Sequence, residues 1–157
     1  MVNSVYKTIL QITLNIALIM VLTRSTNGQE EAEKSLYERV GGYNAIAAVV
    51  DDFIGRLVSD SQLSRFFVGH SNDSKQGMRQ LIVDQLCQAF GGPCIYKGRD
   101  MKTTHNGLGI SDDDWNKSVE HLVATLDKFS VPQKEKDDVL AAASSLKTQI
   151  VQSDIDK

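Results

Sequence analysis

Residues 98–110 read GRDMKTTHNGLGI, and they interrupt a chain whose periodicity is otherwise helical almost throughout. One amphipathic turn would set His105 beside Met101, and the Gly107-x-Gly109 stretch ends any helix that starts there. His105 is either a packing residue or a ligand. Which one depends on what stands on either side.

Upstream, Ile46, Val49, Val50, Phe53, Ile54 and Leu57 recur at helical spacing with Asp51, Asp52 and Arg56 on the opposite side, which predicts a helix over about 44–58. A short amphipathic piece with Leu36, Tyr37 and Val40 precedes it and stops at Gly41-Gly42. Phe66-Phe67 closes the next short stretch, and the residues VGHSNDS read as a polar loop. Met78, Leu81, Ile82, Gln85, Leu86 and Ala89 then share one face of a second long helix, over about 75–90, which Gly91-Gly92-Pro93 stops.

Downstream, Ser111 followed by Asp112, Asp113 and Asp114 is a helix start, with acceptors and acids at the positive end of the dipole. Trp115, Val119, Leu122, Val123, Leu126 and Phe129 follow on one face. Pro132 opens a last helix, expected to run to 152, with Val139, Leu140, Ala143, Leu146 and Ile150 inward. No segment alternates with period two. The chain reads as all-α, two antiparallel helical hairpins joined by an irregular bridge from Gly91 to Ile110, longer than most connections in a compact domain.

Composition narrows the function classes. A 157-residue chain with 41% hydrophobic and 24% charged residues has the make-up of an ordinary globular domain, which excludes disordered and fibrous classes. A net charge of −3 and a pI near 5.6, with no polybasic block, exclude the electrostatic footprint of nucleic-acid binding.

The first 28 residues stand apart. They contain Lys7 and Arg24 but no acid, and Ile9 to Leu22 is a largely apolar run of 14 residues. That is short for a bilayer span of about 20 residues but suits a secretory signal, with Thr26 and Gly28 as small residues before a cut ahead of Gln29. The expected division is 1–28 as signal peptide or extension and 29–157 as the domain, secreted, periplasmic or luminal if the segment is cut and cytoplasmic otherwise. An uncleaved segment would be a membrane anchor. Losing Lys7 and Arg24 takes the net charge from −3 to −5. Cys87 and Cys94 form neither a zinc quartet nor a CxxC pair. In an oxidising compartment they could join, but the preferred reading is two small hydrophobes.

Four motifs bring a family into view. SLYERVGG at 35–42, QLSRFF at 62–67, GGP at 91–93 and YKGRDMKTTHNGLGI at 96–110 occur in one order over most of the domain. From Ser35 to about Val151 the sequence resembles the truncated haemoglobins, specifically their first group, shortened globins with a two-over-two helical sandwich around a haem. Resemblance implies one haem b per chain, with His105 as proximal iron ligand and Phe67 as the phenylalanine packed on the ring. It also implies that Phe53, Ile54, Met78, Ile82, Leu86, Met101, Ile110 and Trp115 line the pocket. Tyr96 with the neighbouring cations Arg99 and Lys102 falls on the propionate side. An axial imidazole, an apolar slot and a polar rim are what a haem requires. His121 reads as a packed or rim residue, and His70 as a solvated loop residue.

One departure matters. Members of the group usually carry a tyrosine directly after the phenylalanine of the first long helix, whose hydroxyl donates to the gas ligand, and here the pair is Phe53-Ile54. The distal wall then reads Ile54, Met78, Ile82, Leu86. Gln85 is the one side chain on that helix face able to replace the donor, though glutamine more often points to water, and His70 could do so only if its loop folds inward. Met78 is read as packing, with iron ligation as the alternative. The resemblance implies reversible binding of O2, CO and NO. Its alternatives are nitric oxide dioxygenation with a partner reductase, a His/Met-ligated redox protein, and a haem-free helical module.

Overall fold

The structure is a computed structural model that describes residues 33–152, and those residues form helices, turns and loops with no strand among them. The segment 1–28 and its expected cleavage lie outside the described residues.

Four of the helices begin where a side chain supplies an acceptor for their free amides, at Ser35, Ser71, Asp100 and Ser111. Helix α1, Leu36–Arg39, starts at Ser35 in a capping box: the Glu38 amide donates to Ser35 Oγ at 3.3 Å, and the Ser35 amide donates to Glu38 Oε2 at 2.9 Å. Gly41, at φ +95°, turns the chain directly into α2, Gly42–Ser59. A 3-10 turn, Ser64–Phe67, follows. Helix α3, Asn72–Ala89, is capped by Ser71 and starts inside the stretch expected as loop, because its first turn is polar and carries no apolar period. Helix α4 is the five residues Met101–His105, capped by Asp100. Helix α5, Asp112–Lys128, opens on a capping box between Ser111 and Asp114.

The last helix is not continuous as expected. α6, Gln133–Ser144, and α7, Lys147–Ile150, are separated by a turn at Ser145–Leu146. Ser145 Oγ donates to the Ala142 carbonyl at 2.7 Å, and the Leu146 amide reaches only to Ala143. This local serine bonding competes with the helical ladder and ends it. Of the residues expected inward here, Val139 is fully buried and Leu140, Ala143, Leu146 and Ile150 are half-buried.

Helix α2 is central, packing on α3 on one side and α5 on the other, with α6 closing on α5 and α1. Ile46, Ala47 and Val50 of α2 meet Val83, Cys87 and Phe90 of the α3 end, Leu126 of α5 and Val139 of α6, forming the apolar core. Polar clamps fix the pairings. Asp52 on α2 accepts from Arg56 Nε at 2.7 Å, from Lys128 and from the buried Thr125 hydroxyl at 3.0 Å. The Arg56 and Lys128 bonds hold its carboxyl far below the usual range. Outside, Arg79 of α3 grips both oxygens of Asp51 on α2.

The reading of Cys87 and Cys94 as two separate hydrophobes is overturned: they are joined in a disulfide. The reversal through Gly91, at φ +84°, returns the chain on itself, so the two Cα atoms stand 5.7 Å apart, within bonding range. Cys87 is nonetheless fully buried in the core.

Candidate functional site

The bridge from Gly91 to Ile110 contains one short helix, and His105 is its last residue. Five residues cannot sustain a helix alone. Asp100 therefore caps α4, accepting from the Thr103 amide at 2.8 Å and the Thr103 hydroxyl at 2.7 Å. Met101 and Ile110 are buried and anchor the two ends, while Lys102, Thr103 and Thr104 face solvent. Between them, half-buried, His105 has Nδ1 at 2.8 Å from the Met101 carbonyl.

A carbonyl only accepts, so Nδ1 carries the proton, and in the neutral ring Nε2 is left with the lone pair. This is the second-sphere arrangement that orients a metal-ligating imidazole. Any metal held there would have to arrive with its other ligands, because among the described residues no group of three or more His, Cys, Asp or Glu could hold a bare ion. A single imidazole suits a metal already held in a macrocycle.

Apolar surface is available for one. Ile54 on α2 and Ile82 and Leu86 on α3 each pack, half-buried, against the core. Phe53, Phe67 and Met78 are half-buried and stand outside the core cluster, so each keeps apolar surface for an occupant to cover. Gln85 is half-buried, and its side chain makes no hydrogen bond within the described residues. Arg65 lies 4.3 Å from the centroid of the Phe66 ring.

At the rim, Arg99 and Lys102 are exposed cations. Tyr96, assigned to the propionate side, donates its hydroxyl proton to the Arg99 carbonyl at 2.6 Å and thereby shapes the entrance to α4. Trp115 lines a shallow groove on α5 with Val119, Val123, Ala124 and Ser144.

The other histidines are accounted for. His121 Nε2 is 2.9 Å from Asp60 Oδ2, joining α5 to the end of α2, and the His121 bond lowers the Asp60 pKa below its ordinary value. His70 is exposed in the loop before α3. Two features of the site's frame have no signature in the sequence reading. Asp114, 2% exposed, accepts both from Gln62 Nε2 at 2.8 Å and from Arg65 at 2.6 and 2.7 Å, tying the 3-10 region to the start of α5. Burial alone would raise its pKa, but hydrogen bonds from Gln62, Ser111 and Arg65 outweigh it and hold the carboxyl far below the usual range. Gln152 closes the far end of the bridge, accepting from the Gly109 amide at 2.6 Å and donating its own backbone amide to the Ile110 carbonyl at 2.9 Å. The Asp100–Thr103 cap was open to discovery from its D-x-x-T spacing.

Known proteins resemble the chain along this whole domain. The bacterial-like globin family matches residues 35–152. A group 1 truncated haemoglobin of Mycolicibacterium paratuberculosis is 33% identical over 123 residues, covering 78% of this chain and 88% of the relative. One from Synechocystis is 33% identical over 115 residues, covering 71% and 90%. The crystal structure of a truncated haemoglobin from Tetrahymena pyriformis, in the Fe(III) form, superposes with a TM-score of 0.69 at 25% identity, covering 76% of this chain and all of that one. The two-over-two haemoglobin of a Synechococcus species, in the cyanomet state with covalently attached haem, gives a TM-score of 0.66 at 31% identity, covering 74% and 95%. An all-α two-over-two sandwich, a short helix presenting one oriented imidazole, and relatives along most of the domain agree: the chain belongs to the bacterial-like globin family as a group 1 truncated haemoglobin, a family of haem-binding, gas-binding globins.

Proposed function

We propose that the chain holds one haem b through Nε2 of His105 and reversibly binds O2, CO and NO against a distal wall without a built-in donor. The observation that carries this reading is the Nδ1–H of His105 donating to the Met101 carbonyl, which leaves Nε2 free to ligate. Bound there, haem would supply an iron able to take up a gas. The polypeptide would do the rest: His105 would hold the iron, Phe67 and Met101 would exclude water, and Arg99 and Lys102 would offer charge to the propionates.

The distal wall distinguishes this chain. Ile54 brings a hydrocarbon where a hydroxyl would donate, and Ile82 and Leu86 of α3, packed on the same core, add further hydrocarbon. Met78 is taken as a packing side chain there. A bonded polar gas loses one hydrogen bond, so retention of O2 suffers while CO, which depends little on such a bond, does not. Nitric oxide dioxygenation needs a persistent oxygen complex and a reductase, and Ile54 weighs against it. The test is an absorption spectrum of purified protein in ferric, ferrous and CO-bound forms. A Soret band and a CO shift typical of a histidine-ligated haem support the reading; protein that takes up no hemin refutes it.

We also propose export, with residues 1–28 removed. Their acid-free apolar make-up supports it, and so does the Cys87–Cys94 disulfide, since such bonds persist chiefly in oxidising compartments. N-terminal sequencing of the protein from fractionated cells decides: a start near Gln29 outside the cytosol is expected, and an intact Met1 in the cytosol overturns it.

A further inference from the structure

The disulfide lies between the distal helix and the segment that carries the proximal histidine, and its connections run one way. Cys87 is rooted in the core with Val83 and Phe90. Its partner Cys94 stands at the head of the bridge, half-buried against the same core. Between them the loop is bonded and closely packed at Gly92. The Gly92 amide donates to the Cys87 carbonyl at 2.7 Å, and a Cβ on Gly92 would come within 2.5 Å of Tyr37, 2.7 Å of the Cys87 carbonyl and 2.8 Å of its sulfur.

Beyond the disulfide, the next anchors follow at once. The Tyr96 amide donates to Gln88 Oε1 at 2.7 Å, so the chain is held to α3 a second time, two residues past Cys94. The Tyr96 hydroxyl then reaches forward to the Arg99 carbonyl at 2.6 Å, with its ring filling the space where Gly98 lacks a side chain. Arg99 precedes Asp100, the cap of α4, and α4 ends at His105. Downstream, Gln152 holds the other end.

We propose that the Cys87–Cys94 disulfide is a positioning device for the proximal ligand, with Gln88 and Tyr96 as positioning residues that relay its constraint to α4. It sets where the bridge leaves the distal helix, and hence the tilt and depth at which His105 meets the iron. The proposal rests on the reading of His105 as haem ligand. A disulfide that merely braced the fold would act chiefly on the unfolded chain and leave the ligand's geometry alone.

The test uses the whole haem-loaded protein and two routes to the open state: reduction of wild type with a water-soluble trialkylphosphine, and the Cys94→Ser variant. Each is read by the rate of hemin transfer to an excess of apomyoglobin and by the iron–imidazole stretching band of the ferrous form. Opening the disulfide is expected to speed hemin loss tenfold or more and to shift or broaden that band, with reoxidation restoring both. Tyr96→Phe, which keeps the ring and the disulfide but removes the bond to Arg99, is expected to move the band in the same direction. An unchanged band and unchanged hemin loss, with only the melting temperature lowered, would overturn the proposal. Should Cys94→Ser fail to fold, the reduced wild type decides between these outcomes alone. Wild type that takes up no hemin refutes the functional reading instead, so the two failures are distinct.

Discussion

Replacing Ile54 by tyrosine restores a hydroxyl to the distal wall and measures what its absence costs. Ile54 sits on α2, half-buried, and packs against the core as Ile82 and Leu86 of α3 do. The side chain of Gln85, the alternative donor on α3, is half-buried and bonds to nothing within the described residues, so it is not fixed toward any acceptor. A hydrogen bond to a charged or strongly polarised acceptor contributes about 1.5–3 kcal/mol. Fixing the phenol in one rotamer costs about 0.5–1 kcal/mol of that. The remainder, about 0.5–2.5 kcal/mol and centred near 1.5, corresponds to a slowing of oxygen release by about tenfold. Stopped-flow displacement of O2 by CO from ferrous wild type and Ile54→Tyr reads this directly, and CO release, followed by displacement with NO, should stay within about twofold. Tyrosine is larger than isoleucine, so a melting curve of the variant separates overpacking from the ligand effect. The reasoning is refuted if Ile54→Tyr releases oxygen as fast as wild type. It is equally refuted if wild type already holds oxygen tightly and Gln85→Ala loosens it, for then Gln85 is the donor.

Three further substitutions test other links. His105→Ala should abolish stable hemin uptake, with added imidazole partly restoring it; an unchanged ferrous spectrum would move the ligand to another residue. Asp114→Ala leaves Arg65, Gln62 and the Ser111 amide without their acceptor, and should lower stability by about 3 kcal/mol, or Tm by about 10 °C, at neutral pH. Because the folded-state pKa of Asp114 is depressed, its contribution is complete above the unfolded value near 4 and is lost as pH falls below that, so denaturant curves of variant and wild type should converge in acid. Gly92→Ala forces a methyl against the Cys87 carbonyl, which is backbone and cannot swing away, so a loss of about 2 kcal/mol is expected in urea melts.

How far the fold was legible depended on whether its determinants were local. Ile46, Val50 and Phe53 repeat at helical spacing, and α2 follows from that repetition alone. Ser111 and Asp114 announced α5 in the same way. His105 was legible as a candidate because a lone histidine stood in an irregular bridge, and legible as a ligand only through the motif around it. Determinants that lie between elements left no such trace. Cys87 and Cys94 are seven positions apart, and only the turn through Gly91 brings their Cα atoms within bonding distance. Arg65 and Asp114 are 49 positions apart, and nothing in either neighbourhood names the other. The break at Ser145 was hidden because Val139, Leu146 and Ile150 keep a helical period straight across it, while the serine hydroxyl decides the backbone. The first turn of α3 was missed for the opposite reason: Asn72, Asp73 and Ser74 have no apolar period to read, although Ser71 caps them.

The brevity of α4 has a consequence for the protein without its cofactor. Its five residues bury Met101 and little else, and its own hydrogen bonds are too few to outweigh the entropy of forming a turn. Its order comes from outside: from the Asp100 cap, from Tyr96 on one side, and from Gln152 on the other. By contrast, the α2 and α3 backbone around Val50 and Val83, 1% and 0% exposed, opens only when the core does. If haem binds through His105 as proposed, it cannot bind a chain in which α4 is undone, so binding closes that local opening by the full ligand term, about 4 kcal/mol at a thousandfold excess over Kd. Amide exchange should therefore distinguish the two regions. In haem-free protein, residues 101–105 should exchange within seconds to minutes while 46–54 and 80–87 remain protected, and hemin should slow the first group by about a thousandfold. Equal protection of α4 and α2 before hemin is added would show that the bridge orders itself, and that the cap and its two flanking anchors suffice without the ligand.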